Sequence, residues 1–479
     1  MEQERNPIRN REEVETWIEE KLPDMIRDLR RICRIPSVAV IPEDKKPPFG
    51  DACVQVLNEM LQIGQEYGFE TDNYDQCVGR IRYGSGSGSV GIWSHLDVVP
   101  TGENWVYPPY ELTEKDGYVI ARGSNDNKSS AIVALYTLLY LKEHGITTNH
   151  SYSAYFGTCE EAGMYDLDYF IENYSCPDLS MVPDSGFPVC CGERGAFNGE
   201  LTASQETEGR LLELNCDCGL YTVPDKAVAV VADSPQVQKF LSKWNAASDV
   251  TAECLEQGVR ITCRGVSTHA AAPKGGVNAL TVLAGFLCEQ DLVTEQEKTL
   301  LGLVIQLNEE GNGASLGIAC EDELSGPLVL TVTTAWMKDG CPGFGFISKT
   351  PVTCNHIPFA ETAKRAAESR GFTLQVTRDS KANFFDPNHP AAQAMTDTYN
   401  EITGLSEKPF VMSGGTYARK LPRSFACGTG MPLPKPPQGL FLPGHGDYHQ
   451  PDESIAVERI KRALLVYICG ILRIDQLEI

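Results

Sequence analysis

The sequence predicts an α/β fold in which a mixed, largely parallel sheet flanked by helices is interrupted by an inserted α+β domain. Up to about residue 190, short apolar runs alternate with segments of helical periodicity, a pattern typical of parallel sheets with helical connections. From about residue 192 shorter β-like runs predominate, and after residue 388 long helical patterns return. We therefore expect residues 1–190 and 385–479 to form one domain and residues 191–384 to form the inserted domain.

The spacing of apolar residues predicts the individual elements. Residues 12–33 have helical spacing, and Pro23 predicts a break or restart because proline removes a helical hydrogen bond. The Gly/Ser patch at 84–89 favours a hairpin turn over a phosphate loop, since it lacks the Lys-Ser/Thr ending of a P-loop. The other predicted elements are helices at 53–67, 128–143, 274–290, 391–404 and 453–472 and strands at 90–94, 152–157, 180–183, 199–205, 258–266, 327–340 and 372–378.

The charge of the chain limits the classes of partner. The 479 residues include 41 Lys and Arg against 65 Asp and Glu, a net charge of −24. Such a field repels nucleic acid and anionic lipid, so we expect neither nucleic acid nor a membrane as a partner. Most of this charge is expected to be a solvated surface, and the rest to include carboxylates that bind cations.

The N-terminus indicates where the chain resides. Residues 1–25 are charged throughout and lack the apolar segment of a signal peptide, and no later run is long and apolar enough to span a bilayer. These features predict a cytoplasmic protein. The 17 cysteines are scattered without the paired spacing of a structural zinc site, which favours reduced thiols in or near the core.

Potential metal ligands follow three of the predicted strands. They are His95 and Asp97, Glu160 and Glu161, and Asp184. The carboxyl ends of strands in an open α/β sheet converge on the binding crevice, so these side chains can meet although they are distant in sequence. Further candidates are Asp126 at the start of a predicted helix and, in a late Gly/Pro-rich loop, His445 and His449.

Each of these signals has an ordinary structural explanation. A single His-x-Asp is usually a surface pair, Glu-Glu is usually solvated, and Asp184 before Ser-Gly is typical of a turn. Asp126 alone is typical of a helix N-cap. The joint placement of two histidines and three or four carboxylates at successive strand ends favours a site for two divalent cations.

The motifs around these residues resemble those of the co-catalytic dinuclear zinc peptidases. This family includes PepV-type dipeptidases, carnosinases, acetylornithine deacetylase, succinyl-diaminopimelate desuccinylase and carboxypeptidase G. The long middle insertion and the GGTYAR and HQPDE motifs resemble the PepV branch most. The matching motifs are, in chain order, LRRICRIPSV, SHLDVVP, ARGSNDNK, GTCEEAGM, VPDSGFP, GVSTHAAAP, SGGTYAR and PGHGDYHQPDE.

The resemblance implies a role for each candidate residue. One zinc ion would be held by His95 and Asp184, and the other by Glu161 and His449. Asp126 would bridge the two ions. The resemblance also implies that Asp97 orients His95 and that Glu160 acts as the general base, which takes a proton from the attacking water and passes it to the leaving amine. The implied cofactors are two Zn²⁺ ions per chain, with manganese or cobalt as alternatives.

The resemblance extends to the inserted domain, which would act as a lid. His269 would stabilise the tetrahedral oxyanion, although an isolated histidine before small residues is ordinarily a helix-start residue. The SGGTYAR motif would contact substrate through Arg419, Gly414, Gly415 and Thr416, although it could also be a simple glycine turn. The enlarged lid predicts a monomer, with a homodimer as the alternative.

Three departures from the family pattern leave the substrate open. Tyr221 or Thr222 stands where relatives commonly have an asparagine, and Ser348 or Lys349 where they have an arginine that holds the substrate carboxylate. Asn127 replaces the usual second aspartate after the bridging one. We therefore predict a metal-dependent hydrolase of dipeptides or short peptides. The alternatives are a deacylase of N-acyl amino acids and a non-catalytic metal-binding homologue.

Overall fold

A computed structural model describes residues 11–207, 209–244 and 249–479 of the chain. The described helices are α1 (Arg11–Cys33), α2 (Asp51–Glu66), α3 (Lys128–Glu143), α4 (Tyr165–Asn173), α5 (Pro235–Leu241), α6 (Ala279–Glu289), α7 (Glu295–Glu310), α8 (Phe359–Glu368), α9 (Pro390–Thr403) and α10 (Val457–Ile474). The described strands are β1 (Glu70–Tyr74), β2 (Val78–Tyr83), β3 (Gly88–His95), β4 (Thr113–Lys115), β5 (Tyr118–Ile120), β6 (His150–Gly157), β7 (Leu179–Val182), β8 (Ser185–Gly186), β9 (Cys190–Glu193), β10 (Ala196–Ala203), β11 (Leu211–Asp217), β12 (Lys226–Ala232), β13 (Val250–Leu255), β14 (Gly258–Arg264), β15 (Glu321–Asp322), β16 (Gly326–Pro327), β17 (Val329–Lys338), β18 (Cys341–Lys349), β19 (Phe372–Ser380), β20 (Asn383–Phe384), β21 (Phe410–Met412), β22 (Ser424–Ala426), β23 (Thr429–Gly430) and β24 (Ser454–Ala456). None of these helices combines the length and apolarity needed to cross a membrane.

The chain divides into two compact units. Among the described residues, the core unit comprises 11–192, 384–410 and 415–479, and the insert unit comprises those within 193–383 and 411–414.

The core unit is built on a mixed sheet, as the sequence predicts. Six of the strands of this sheet lie in the order β1-β2-β6-β3-β7-β22. Strands β6, β3, β7 and β22 are parallel, whereas β1 and β2 are antiparallel to their neighbours. Helix α3 contacts the sheet and the helices α1 and α10, and it is buried around nearly its whole circumference, as its continuous apolar sequence predicts. The prediction of a largely parallel, helix-flanked sheet is confirmed.

Helix α1 continues through Pro23, so the predicted break at this residue is wrong. Pro23 lies on the exposed face, where the carbonyl that loses its partner can bind water. The buried stripe continues on both sides of the proline, from Val14 and Trp17 to Met25 and Leu29. Packing of this stripe therefore keeps both halves of the helix on one axis.

The predicted hairpin at 84–89 is also wrong. Strands β2 and β3 do not pair with each other, because β6 lies between them, antiparallel to β2 and parallel to β3. The connecting segment crosses the beginning of β6, where Ser87 N donates to Asn149 O at 3.2 Å. A Cβ atom at Gly86 would lie 1.9 Å from the same carbonyl oxygen. The glycines in this patch thus permit a close crossing of two backbones.

Two predicted helices begin later than the sequence suggests. The helix predicted at 274–290 begins at Ala279, because the side chain of Asn278 caps it by accepting from Leu280 N and Thr281 N. The last helix begins at Val457, since residues 454–456 form β24 and pair with β5. The other predicted elements of the core unit lie within a few residues of their predicted bounds.

The insert unit contains an antiparallel sheet in the order β13-β14-β12-β11-β17-β18-β10-β19. Helices α6, α7 and α8 contact this sheet and bury apolar side chains against it. Helix α7 begins with a capping box in which Thr294 and Glu297 satisfy each other's backbone N–H groups. The segregation of helices and antiparallel strands is an α+β arrangement, as predicted for the inserted part of the fold.

Candidate metal centre

Two groups of potential metal ligands lie at the carboxyl edge of the core-unit sheet. His95 is the last residue of β3 and Asp184 follows β7, so two neighbouring parallel strands bring them together. Asp126 belongs to the turn before α3. His95 Nε2 lies 3.0 Å from Asp126 Oδ1 and 3.8 Å from Asp184 Oδ2. We call His95, Asp126 and Asp184 the inner group.

The second group shares Asp126 with the first. His449 Nε2 lies 3.2 Å from Asp126 Oδ2 and 3.0 Å from Glu161 Oε1. We call Asp126, Glu161 and His449 the outer group. Because the two histidines approach different oxygens of the Asp126 carboxylate, this side chain has the geometry of a bridging ligand.

The donor atoms of both groups suit divalent cations. Within each group the ligand atoms lie within 4.8 Å of one another. His95 Nδ1 lies 3.0 Å from the backbone carbonyl of Asp97, which can only accept, so this nitrogen carries a proton. The other ring nitrogen, Nε2, faces the carboxylates, so a metal ion bound there would take the place of its proton. Two imidazoles and three carboxylates fit a pair of borderline divalent ions.

The electrostatics of the site favour positive charge. Burial acts to raise the pKa of Asp126, but hydrogen bonds from His449 and His95 outweigh it and bring this pKa well below its usual range. Hydrogen bonds to Asp126 and Glu161 raise the pKa of His449 to about 10. The carboxylates thus attract protons onto the imidazole when no other cation neutralises them, and bound cations would replace these protons.

Asp97 contacts the site in two ways. Its backbone carbonyl lies closer to His95 Nδ1 than its carboxylate does, since Oδ1 is 3.5 Å from that nitrogen. Its two carboxylate oxygens instead accept the backbone N–H groups of Glu160 and Glu161, each at 3.0 Å. Asp97 therefore supports both the His95 ring and the turn that carries the two glutamates.

Glu160 lies next to the ligand Glu161 and belongs to neither ligand group among the described residues. The side chain is almost completely buried, with 9% of the residue exposed. Burial raises the pKa of its carboxyl well above the ordinary range, and the negative charge of Asp184 acts in the same direction. A carboxyl group with a raised pKa beside a metal site has the character of a general base near neutral pH.

Two supporting residues were not found from the sequence. The side chain of Asn127 donates to Asp184 Oδ1 at 2.7 Å and to the carbonyl of Pro183 at 2.9 Å. This amide leaves Asp184 Oδ2 facing His95, whereas an aspartate at position 127 would repel the Asp184 carboxylate. In the sequence, the only signal for this role is that Asn127 stands where the family usually has a second aspartate.

Glu453 holds the turn that carries Asp126. Its carboxylate accepts the backbone N–H groups of Gly123, Asn125 and Asp126 at 2.9 to 3.0 Å, and Arg122 Nη1 donates to it at 2.6 Å. Both charged side chains are buried, each 1% exposed. The sequence contains no local signal for this role, because the partners are mostly backbone groups of a distant turn.

The other histidine of the C-terminal loop, His445, lies outside both groups. His445 Nδ1 is 2.6 Å from Asp452 Oδ2, and Asp452 Oδ1 accepts the backbone N–H groups of Val106 and Tyr107. Of the two candidates in this loop, His449 is the one that the fold brings to the carboxylates.

The remaining predicted site residues lie in both units. His269 and Gly414 belong to the insert unit, and Gly415, Thr416 and Arg419 belong to the core unit. His269 is exposed, and its Nδ1 accepts the N–H of Ala271 at 3.1 Å. Thr416 is buried, and its hydroxyl accepts from Ala418 N to begin the short 3-10 helix Tyr417–Arg419.

The positions that depart from the family pattern also have defined surroundings in the insert unit. Ser348 is buried and its hydroxyl donates to the carbonyl of Phe197. Lys349 Nζ donates to the carbonyl of Ser413 at 2.7 Å. Tyr221 is 45% exposed.

Two carboxylate and histidine groups at the carboxyl edge of an α/β sheet are the arrangement expected of a metal-dependent hydrolase. Residues 91–472 match the sequence pattern of peptidase family M20/M25/M40. The chain belongs to this family and is a metal-dependent peptidase, which confirms the resemblance seen in its motifs.

The relatives of the chain match almost its full length. It is 29% identical over 460 residues to "Putative dipeptidase YtjP" of Bacillus subtilis (strain 168), covering 93% of this chain and 96% of that protein. It is 26% identical over 428 residues to the Beta-Ala-Xaa dipeptidase of Lactobacillus delbrueckii subsp. lactis, covering 86% of this chain and 89% of that protein. The solved structure of aminoacylhistidine dipeptidase from Vibrio alginolyticus has the same fold, with a TM-score of 0.58 and 13% identity over 93% of this chain and 95% of that one.

Proposed function

We propose that the protein is a dinuclear zinc dipeptidase. The observation that carries the proposal is the pair of ligand groups that share Asp126, with the buried Glu160 beside them. The names of the relatives from Bacillus subtilis and Lactobacillus delbrueckii support a dipeptide as the substrate. The ligand set of two imidazoles and three carboxylates supports zinc, with manganese or cobalt as alternatives.

The site residues of the core unit would have separate roles in hydrolysis. His95 and Asp184 would hold one ion, Glu161 and His449 the other, and Asp126 both. Two ions bound there supply Lewis-acid activation of a water molecule and of the scissile carbonyl. Glu160 would take the proton of the attacking water and pass it to the leaving amine. Asp97 would keep the turn of Glu160 and Glu161 in place through its two N–H···O bonds.

The remaining predicted residues would act on the substrate. His269 would donate a hydrogen bond to the oxyanion. Arg419 and the backbone of Gly414 and Gly415 would contact the substrate, together with Thr416. We further propose that residues 1–190 and 385–479 form the catalytic domain and residues 191–384 the lid, and the two compact units support this division. We propose a cytoplasmic monomer, with a homodimer as the alternative.

One observation favours a second substrate class. The position that commonly carries an arginine for the substrate carboxylate has Ser348 or Lys349 in this chain, and the ammonium of Lys349 already donates to a backbone carbonyl. A weaker hold on the free carboxylate favours N-acyl amino acids bound mainly through the acyl group. Deacylation would use the same metal centre and the same general base.

A substrate panel tests the proposal. Purified protein is stripped with a chelator, reloaded with Zn²⁺, Mn²⁺ or Co²⁺, and assayed on a dipeptide library beside N-acetyl and N-succinyl amino acids. We expect release of amino acids from dipeptides by the reloaded protein and none by the stripped protein. Turnover of the N-acyl set alone would establish the deacylase, and bound metal without turnover of any amide would establish a non-catalytic homologue.

A further inference from the structure

The turn between β6 and α4 has an uncommon set of hydrogen bonds. Four consecutive backbone N–H groups, from residue 158 to residue 161, donate to two buried carboxylates. Asp97 accepts the last two, and Asp166 Oδ2 accepts those of Thr158 and Cys159 at 2.7 and 2.9 Å. This turn carries both Glu160 and Glu161, so its conformation sets where the two glutamate side chains lie.

Tyr417 stabilises the second of these carboxylates. Its hydroxyl donates to Asp166 Oδ2, and the tyrosine is 1% exposed. Burial raises the pKa of the hydroxyl well above its usual value, so it keeps its proton and remains the donor. A Cβ atom at Gly157 would lie 1.9 Å from the hydroxyl oxygen, so the tyrosine is in close contact with the backbone at the start of the turn.

The same tyrosine also contacts the inner group. The rings of Tyr417 and His95 meet edge to face, with centroids 6.3 Å apart and an interplanar angle of 80°. The hydroxyl end and the ring of one buried side chain thus support two segments, the end of β3 and the turn after β6. These two segments carry ligands of both groups.

We propose that Tyr417 and Asp166 are positioning residues that fix the turn carrying Glu160 and Glu161 relative to His95. Neither side chain belongs to a ligand group among the described residues. The part of this inference that concerns catalysis rests on the proposed function, whereas the part that concerns the turn does not. Loss of such supporting contacts typically costs about 10- to 100-fold in metal affinity or activity.

The matched variants are Tyr417→Phe and Tyr152→Phe. Tyr417→Phe keeps the ring against His95 and removes the hydroxyl that Asp166 accepts. Tyr152 is also fully buried in the core unit, and its hydroxyl donates to another buried aspartate, Asp475, at 3.1 Å. Both substitutions therefore remove a buried tyrosine-to-aspartate hydrogen bond, but only one lies at the turn.

The first measurement is hydrogen–deuterium exchange of the metal-free full-length protein. We expect Tyr417→Phe to accelerate exchange of the amides at 158–161 at least about tenfold, because their acceptor loses its support. Tyr152→Phe should leave this turn unchanged. Equal exchange at the turn in Tyr417→Phe and wild type would overturn the proposal, whatever the protein hydrolyses.

The second measurement is zinc affinity by competition with a chromophoric chelator, together with kcat and KM on the best dipeptide. We expect Tyr417→Phe to weaken zinc binding and to lower kcat about 10- to 100-fold with little change in KM, while Tyr152→Phe stays near wild type. Equal values for the two variants would overturn the catalytic part. If exchange at the turn differs between the variants as expected but the wild type hydrolyses no dipeptide, the proposed function is contradicted and the positioning role is not.

Discussion

The inner and outer ligand groups share Asp126 but differ in how the fold holds them. The His95 side chain of the inner group is 2% exposed, whereas the His449 side chain of the outer group is 48% exposed. His95 ends a strand with neighbours on both sides, and His449 lies in a loop with a left-handed backbone, φ 61°. The inner group is therefore organised by the sheet before any ion binds, whereas the outer group depends on a loop and on a turn.

This difference predicts two unequal ion sites. A ligand already fixed in a buried position loses little freedom when an ion binds, whereas a half-exposed loop side chain must be ordered at that moment. We expect the inner site to bind its ion more tightly and to release it last when a chelator is added. Stepwise removal of metal with activity recorded at each step would show this order.

The largest expected effect is on kcat, and it distinguishes Glu160 from its neighbour Glu161. Glu160→Gln keeps the size of the side chain but removes the base, so we expect kcat to fall by about 10²- to 10⁴-fold with bound metal unchanged. Glu161→Gln should instead weaken the ion of the outer group while the inner ion stays. Metal content after dialysis and rates on one dipeptide check both variants. A Glu160→Gln protein that keeps its full rate would contradict the assigned base.

The next largest effect is on the unfolding free energy of the metal-free protein, and it differs between His95 and His449. His95→Ala removes the buried side chain that pairs with the carboxylates of Asp126 and Asp184, and breaking a buried pair costs about 3–5 kcal/mol of unfolding free energy. His449→Ala removes a half-exposed partner and should cost about 1 kcal/mol or less. Urea denaturation of both variants measures the difference. Equal losses would mean that the two groups are equally preorganised.

The sequence predicts the elements of the core unit well, because their patterns are local. The long apolar run of α3 and the short apolar runs of β3, β6 and β7 are sufficient to predict these elements within a few residues. The error at 84–89 has a non-local cause. Strand β6, which separates β2 from β3, comes later in the chain, so the turn signal alone cannot exclude a hairpin.

His95, Glu161 and Asp184 could be named from the sequence because they follow predicted strands, whereas Asp126 and His449 were named from a helix start and a late loop motif. The structure brings all five side chains together in two groups. Their roles remain predictions. Of the supporting residues, Asp97 could be named from its motif, but Asp166 and Glu453 could not. Asp166 and Glu453 act mainly by accepting backbone N–H groups of distant turns, and any residue except proline offers such a group. No side-chain pattern therefore marks their partners.

A further prediction concerns the turn that carries Glu161 of the outer group. Burial raises the pKa of Asp166 from 3.8 to about 6. The folded state therefore binds more protons than the unfolded state between these values, so the stabilising contribution is complete below about pH 3.8 and is lost as the pH rises through about 6. A shift of about two units corresponds to about 3 kcal/mol.

Asp166→Asn provides the control for this pH dependence. The variant lacks the titrating group. Between pH 4 and pH 7 the unfolding free energy of the wild type should therefore fall relative to that of the variant. Urea denaturation of the metal-free proteins across this range measures the difference. A difference that stays constant with pH would show that the pKa of Asp166 is not raised in the folded protein.

The smallest expected effect lies in the inner group. Asn127→Ala removes the amide that donates to Asp184 Oδ1 and to the carbonyl of Pro183, so the Asp184 carboxylate loses one of the contacts that orient it. We expect the tighter zinc ion to bind about tenfold more weakly, measured by competition with a chelator, with the outer ion unchanged. Asn198→Ala is the control, because Asn198 is also buried and accepts from Ser348 N in the insert unit. Equal losses of zinc affinity in the two variants would mean that Asn127 does not preorganise the inner group. A loss of affinity at the outer group instead would mean the same. The contrast between the two groups would then come from the burial of His95 alone.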